Sequence, residues 1–202
     1  VYFGVFFIMS TILSWLMELL RYIGYLSLII WVLIPIRQFG TRFFLFFLIL
    51  GLLDLTAFVL LIIFKINFEL IYLVGTSLLL YPLLIGLKNV YRFGIVSLLV
   101  VAAFIIFYYT NINPILFQMV IHLVILIYFL KVLILYYGLN RKVLFFHFFL
   151  LAYEFSLLLK FFVYWHELNL GLIYFYLTTI FQILIGIFFL FINEKNSPII
   201  KV

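Results

Sequence analysis

The sequence predicts an all-α fold: a polytopic transmembrane helix bundle of about seven helices, N-terminus outside and C-terminus inside. Three observations carry this. Of the 202 residues, 70% are hydrophobic and 9% charged, against about 25% charged in soluble domains. Apolar runs of around 20 residues, enough to cross roughly 30 Å of hydrocarbon, recur from end to end. The basic residues gather in alternate loops.

Taken in order, the spans fall at about 14–36, 43–64, 69–87, 93–110, 114–138, 143–165 and 170–192, in a single transmembrane domain covering 1–202. Short connections between them are those of antiparallel neighbours in a bundle. Residues 1–13 are apolar too, and read as an interfacial segment or an extra short span, with no basic leader or small-residue cleavage site. Pro82 interrupts span 3 and predicts a kink there. Residues 193–202 form an inside tail. Glycines at GxxxG spacing are absent, so close helix crossings of that type are not expected.

Orientation follows from charge. Arg37 and Arg42 follow span 1, Lys88 and Arg92 span 3, Arg141 and Lys142 span 5, and Lys195 and Lys201 span 7; the alternate loops hold only Lys65. Under the positive-inside rule that bias puts the C-terminus inside. It also accounts for the net charge of +6 without a nucleic-acid partner. Trp15, Tyr108, Tyr109, Tyr164 and Trp165 fall at outer ends, where amphipathic rings anchor.

With no cysteine, the chain has no disulfide and no thiolate site. His122 and His147 differ in depth by roughly 15 Å on helical geometry and cannot face one haem, so neither a cofactor nor a metal is expected. The 28 Phe and 15 Tyr match a T-rich coding strand, as in organellar genes or AT-rich bacteria. A mitochondrial inner membrane is the expected location, with a bacterial inner membrane as the alternative.

A charge at mid-bilayer costs at least roughly 2.5–3.5 kcal/mol, which singles out Asp54, Lys131 and Glu154, each deep in a span. Glu18, Arg21 and Lys160 lie nearer span ends and can snorkel. Lys131 and Glu154 differ in depth by about 8 Å, a gap that a lysine stem can largely bridge, so they are expected to pair. His147 and Glu154, seven apart, share a helix face, and His122 lies near the depth of Glu154. Asp54, Ser77, His122, Glu154 and Gln182 together predict a polar belt in the interior. Such groups either tie helices together or relay protons; the relay candidates are Lys131, Glu154, His147, His122 and Asp54.

Several stretches resemble the antiporter-like membrane subunits of respiratory complex I, especially NADH dehydrogenase subunit 2. FKINFELIYLVGTSLLLYPLLIGL (64–87) resembles that family's fifth helix, and GLKNVYRFGIVSLLVVAAFIIFYYTNI (86–112) the next one. YFLKVL (128–133) matches the place of the buried lysine on the seventh helix. SLLLKFF (156–162) resembles the end of the eighth, and FQILIGIFFLFINEKNSPIIKV (181–202) the ninth with its loop. The resemblance covers roughly 43–202 in order.

It implies a membrane-arm subunit of a proton-translocating NADH:quinone oxidoreductase, with Lys131 as the switching lysine and Glu154 as its counter-charge. The expected partners are the lipid bilayer and other hydrophobic subunits, including a second chain for the roughly five helices by which the family is longer. Two departures stand out. Val74, Gly75 and Thr76 occupy the place of the family's fifth-helix glutamate, and Leu150 and Leu151 that of its eighth-helix lysine. A seven-helix sensor fits the topology equally and would need an output domain; a small secondary transporter would need paired helix breaks, and Pro82 stands alone.

Overall fold

A computed structural model describes residues 2–65, 68–84, 90–110, 113–166, 168 and 171–201. Seven helices account for almost all of them: α1 (Tyr2–Gln38), α2 (Phe44–Phe64), α3 (Phe68–Leu84), α4 (Val90–Thr110), α5 (Pro114–Asn140), α6 (Phe145–Trp165) and α7 (Gly171–Phe191). Five contain stretches long and apolar enough to cross a membrane: Met17–Gln38, Phe44–Phe64, Pro114–Asn140, Phe145–Trp165 and Tyr174–Phe191. The apolar stretches described in α3 and α4, Ile71–Leu84 and Phe93–Ala102, are shorter. Large apolar side chains such as Ile62, Leu98 and Leu184 cover the outside, as contact with a bilayer demands.

Residues 2–13 are not a separate element. They continue the first span in one helix of 37 residues, about 55 Å long at 1.5 Å per residue. Helix α5 starts at Asn113, whose side chain accepts from the Ile115 N–H, with Pro114 in the first turn, where its missing donor costs nothing. Helices α2 and α5 end on Lys65 and Arg141, both in the left-handed conformation that a helix stop ordinarily assigns to glycine.

Six helices close a ring: α1 packs on α2, α2 on α3, α3 on α5, α5 on α6, α6 on α7 and α7 back on α1, while α4 lies outside against α3. Close approaches at single glycines take the place of a GxxxG pattern, at Gly51 and Gly186 against α1 and at Gly75 against Leu53 of α2. A Cβ on Gly51 would meet the Trp31 carbonyl oxygen at 2.3 Å, and one on Gly186 the Ile30 side chain at 2.7 Å. One glycine per interface is enough to let α1 lie against both neighbours.

Arg37, Arg42, Arg141, Lys142 and Lys195 lie at one end of the bundle, here called the basic end. Lys88 lies outside the described residues. The segment expected to begin span 6 is instead a short strand, β1 (Lys142–Leu144), paired antiparallel with β2 (Ile199–Lys201) from the tail. The tail also finishes α6: the Phe145 N–H donates to the Pro198 carbonyl at 3.1 Å and the Phe146 N–H to Ser197 Oγ at 3.0 Å. Two of the donors that a helix start leaves unpaired are thereby satisfied. Beside it, Gln38 Nε2 donates to the carbonyls of Phe189 and Ile192, and Arg37 Nε to that of Phe191.

Above this end the ring is filled by Phe43, Phe46, Phe47, Phe129, Phe146 and Phe189, none more than 1% exposed. Their rings meet mostly edge to face or tilted, at centroid separations such as 4.9 Å (Phe47–Phe189) and 5.3 Å (Phe46–Phe129), within the favourable range for aromatic pairs. Ile34, Leu79, Ile125 and Leu150 complete the plug.

Candidate functional site

Beyond the plug the ring opens into a cavity of about 120 Å³ to which all six ring helices contribute. Helix α1 supplies Ser27 and Trp31, α2 Asp54, α3 Tyr72 and Thr76, α5 His122, α6 Tyr153 and Phe161, and α7 Gln182. Asp54 stands at the midpoint of α2, exposed at the cavity rim, and accepts a hydrogen bond from the Tyr72 hydroxyl. Trp31 lies across Tyr153, ring centroids 4.4 Å apart. The volume is enough for water, which needs a few polar partners, and Asp54, Tyr72, Thr76, His122 and Gln182 offer them in an otherwise apolar wall.

One wall residue, His122, belongs to a buried pair whose other member, Glu154, lies behind it. His122 Nδ1 and Glu154 Oε2 are 2.7 Å apart, with side-chain exposures of 3% and 0%. One proton lies between them, on the imidazole when Glu154 is ionised and on the carboxyl when both are neutral. The other carboxyl oxygen, Glu154 Oε1, is buried without a partner among the described residues.

From the cavity a polar chain runs away from the basic end. Lys160 Nζ donates to Gln182 Oε1 at 2.7 Å and to Thr179 Oγ1 at 3.2 Å; Gln182 Nε2 donates to Ser156 Oγ, and Ser156 Oγ to the Tyr153 carbonyl. Lys160, expected to snorkel, is turned inward and tied to α7. Spacing could have revealed this, because Lys160 is seven residues from Tyr153 and so shares its cavity-facing side. Ser77, placed in the polar belt by depth, instead bonds the Leu73 carbonyl of its own helix, and Thr76 lines the cavity.

His147 belongs to a separate network at the basic end. Its Nε2 lies 3.0 Å from both Arg42 Nη2 and Glu194 Oε1, and Arg42 bridges to Glu194 at 2.6 Å. In one tautomer His147 accepts from Arg42; in the other it donates to Glu194. Its Nδ1 is buried without a partner among the described residues. His147 and Glu154 do share the inward face of α6, but Leu150, 1% exposed, stands between them as part of the plug.

The expected Lys131–Glu154 pair does not form. Glu154 bonds to His122, and Lys131 is exposed on the opposite side of α5. Nine residues separate Lys131 from His122, two and a half turns at 3.6 residues per turn, so matching depth did not mean matching direction. The structure thus brings His122 and Glu154 together, sets Asp54 across the same cavity, and leaves His147 and Lys131 apart.

No protein-family model matches the chain, and it matches neither a curated protein nor a solved structure.

Proposed function

We propose that this chain is a seven-span membrane protein, C-terminus inside, that handles protons as a membrane-arm subunit of a proton-translocating NADH:quinone oxidoreductase. The observation that supports proton handling is the mid-bundle cavity, walled by Asp54, Tyr72, His122 and Gln182 and backed by the His122–Glu154 pair. Ionisable groups at this depth are costly in a membrane and mark ion or proton paths by default.

In this reading the cavity is a half-channel. Protons enter along Thr179, Lys160 and Gln182, exchange with Asp54 and the His122–Glu154 pair through water, and stop at the phenylalanine plug. His147 waits beyond it with Glu194 and Arg42. Lys131, the switching lysine under the family resemblance, points out of the bundle, where a neighbouring subunit would have to supply its counter-charge.

The assignment to the oxidoreductase is tested by purifying the chain from its native membrane. Co-migration with a large NADH-oxidising assembly is expected; migration alone would end it. Proton handling is tested within that assembly by comparing Asp54→Asn, Glu154→Gln and Lys131→Met for protons moved per NADH oxidised. A path through the cavity predicts loss in the first two and retention in the third. The reverse pattern would return the path to Lys131.

A further inference from the structure

A second feature lies on the outside of the ring, between α2 and α3. Two hollows, of about 530 and 450 Å³, adjoin at Ile49, which lines both. On α2 they follow Leu45, Ile49, Leu52, Thr56 and Leu60, and on α3 Ile71, Val74, Gly75, Leu78 and Pro82. Both sets recur every three or four residues, so each is one stripe of its helix, and the two stripes form the walls of a single groove. From Leu45 to Leu60 it runs for about 22 Å at 1.5 Å per residue. Pro82, inside α3, lines the groove near the mouth at the basic end.

Among the described lining residues the groove is apolar apart from Thr56 and from one mouth. There Arg42 and Thr41 line it, together with Tyr81 and Tyr128. The Arg42 side chain is 47% exposed, its guanidinium lies 4.6 Å over the Phe43 ring, and among the described residues its bonds, to Glu194 and to His147, leave through Nη2. Arginine carries five N–H donors in a planar fork suited to phosphate oxygens, so the donors other than Nη2 can take one. Arg42 stands at the basic end, the level of a phospholipid headgroup in a spanning bundle. The middle of the hydrocarbon lies about 15 Å below, some ten residues down α2, well within the groove.

We propose that this groove binds an anionic phospholipid, its phosphate on Arg42 and one acyl chain laid between α2 and α3. Charge at one mouth and hydrocarbon along the remainder match that occupant. A partner helix would bury the Arg42 edge against apolar surface.

The purified protein, loaded with an equimolar mixture of phosphatidylglycerol and phosphatidylcholine of matched chains, is examined by native mass spectrometry. Retained phosphatidylglycerol is expected to dominate. Arg42→Gln is expected to lower the preference about fivefold, the effect of one basic residue near a charged headgroup. Val74→Trp, at an exposed wall position, fills the groove and is expected to abolish retention of both lipids while the protein stays monodisperse. Equal retention of the two lipids by the native chain, or a preference unchanged in Arg42→Gln, overturns the proposal. So does a lipid-free dimer that Val74→Trp dissociates, which would give the groove to a second copy.

Discussion

Glu154 has no exposed surface and, among the described residues, one hydrogen-bond partner, so the stability of the bundle depends on what faces it. Replacing His122 with leucine leaves a buried carboxyl with no partner, and breaking a buried pair from one side costs roughly 3–5 kcal/mol. Replacing both members with leucine removes the desolvated groups together and is expected to recover most of that loss. Thermal unfolding of the two variants in detergent checks this; a double variant as unstable as His122→Leu would show that the pair acts through packing alone. Depth was legible at this scale, since counting residues from the helix ends set His122 beside Glu154. Direction was not. Reach alone pairs Glu154 with Lys131, and the helical phase between Lys131 and His122, available from the numbering, decides against it.

At the scale of elements, Gly51 fixes the approach of α1 to α2. Gly51→Ala drives a methyl group into the Trp31 carbonyl, and such overpacking typically costs about 1–3 kcal/mol. Gly24→Ala, where nothing lies within 4 Å, is the matched control and is expected to leave the unfolding temperature unchanged or slightly raised. Equal shifts in the two variants would remove the close-contact explanation. Helix positions were legible because long apolar runs have few ways to be arranged. The strands were not: KVL and IIK are three residues each, too short for an alternation to stand out. Their pairing depends on contacts between residues far apart in the chain, such as Val143 with Ile200, and a local pattern carries no trace of it.

For the whole molecule, helices alternate in direction and charge accumulates at one end, and the orientation proposed above is drawn from that asymmetry alone. Because the chain contains no cysteine, single substitutions report cleanly. In intact membrane vesicles, Lys195→Cys and Leu168→Cys are expected to react with an impermeant maleimide from opposite sides, Lys195→Cys from the inner one. Labelling of both from one side would remove the proposed topology. The closed ring was beyond the sequence, since hydrophobicity ranks a lipid-facing leucine and an inward one alike, and only the mutual fit of six helices separates them.

The six buried phenylalanines carry an electrical consequence. In an energised membrane, voltage falls mainly across the least polarisable layer, and water admitted to the cavity on one side of a dry aromatic layer would concentrate the drop across that layer. A unit charge carried through it would then traverse most of the field, about 2.3 kcal/mol for every 100 mV, although its journey is only a few ångströms long.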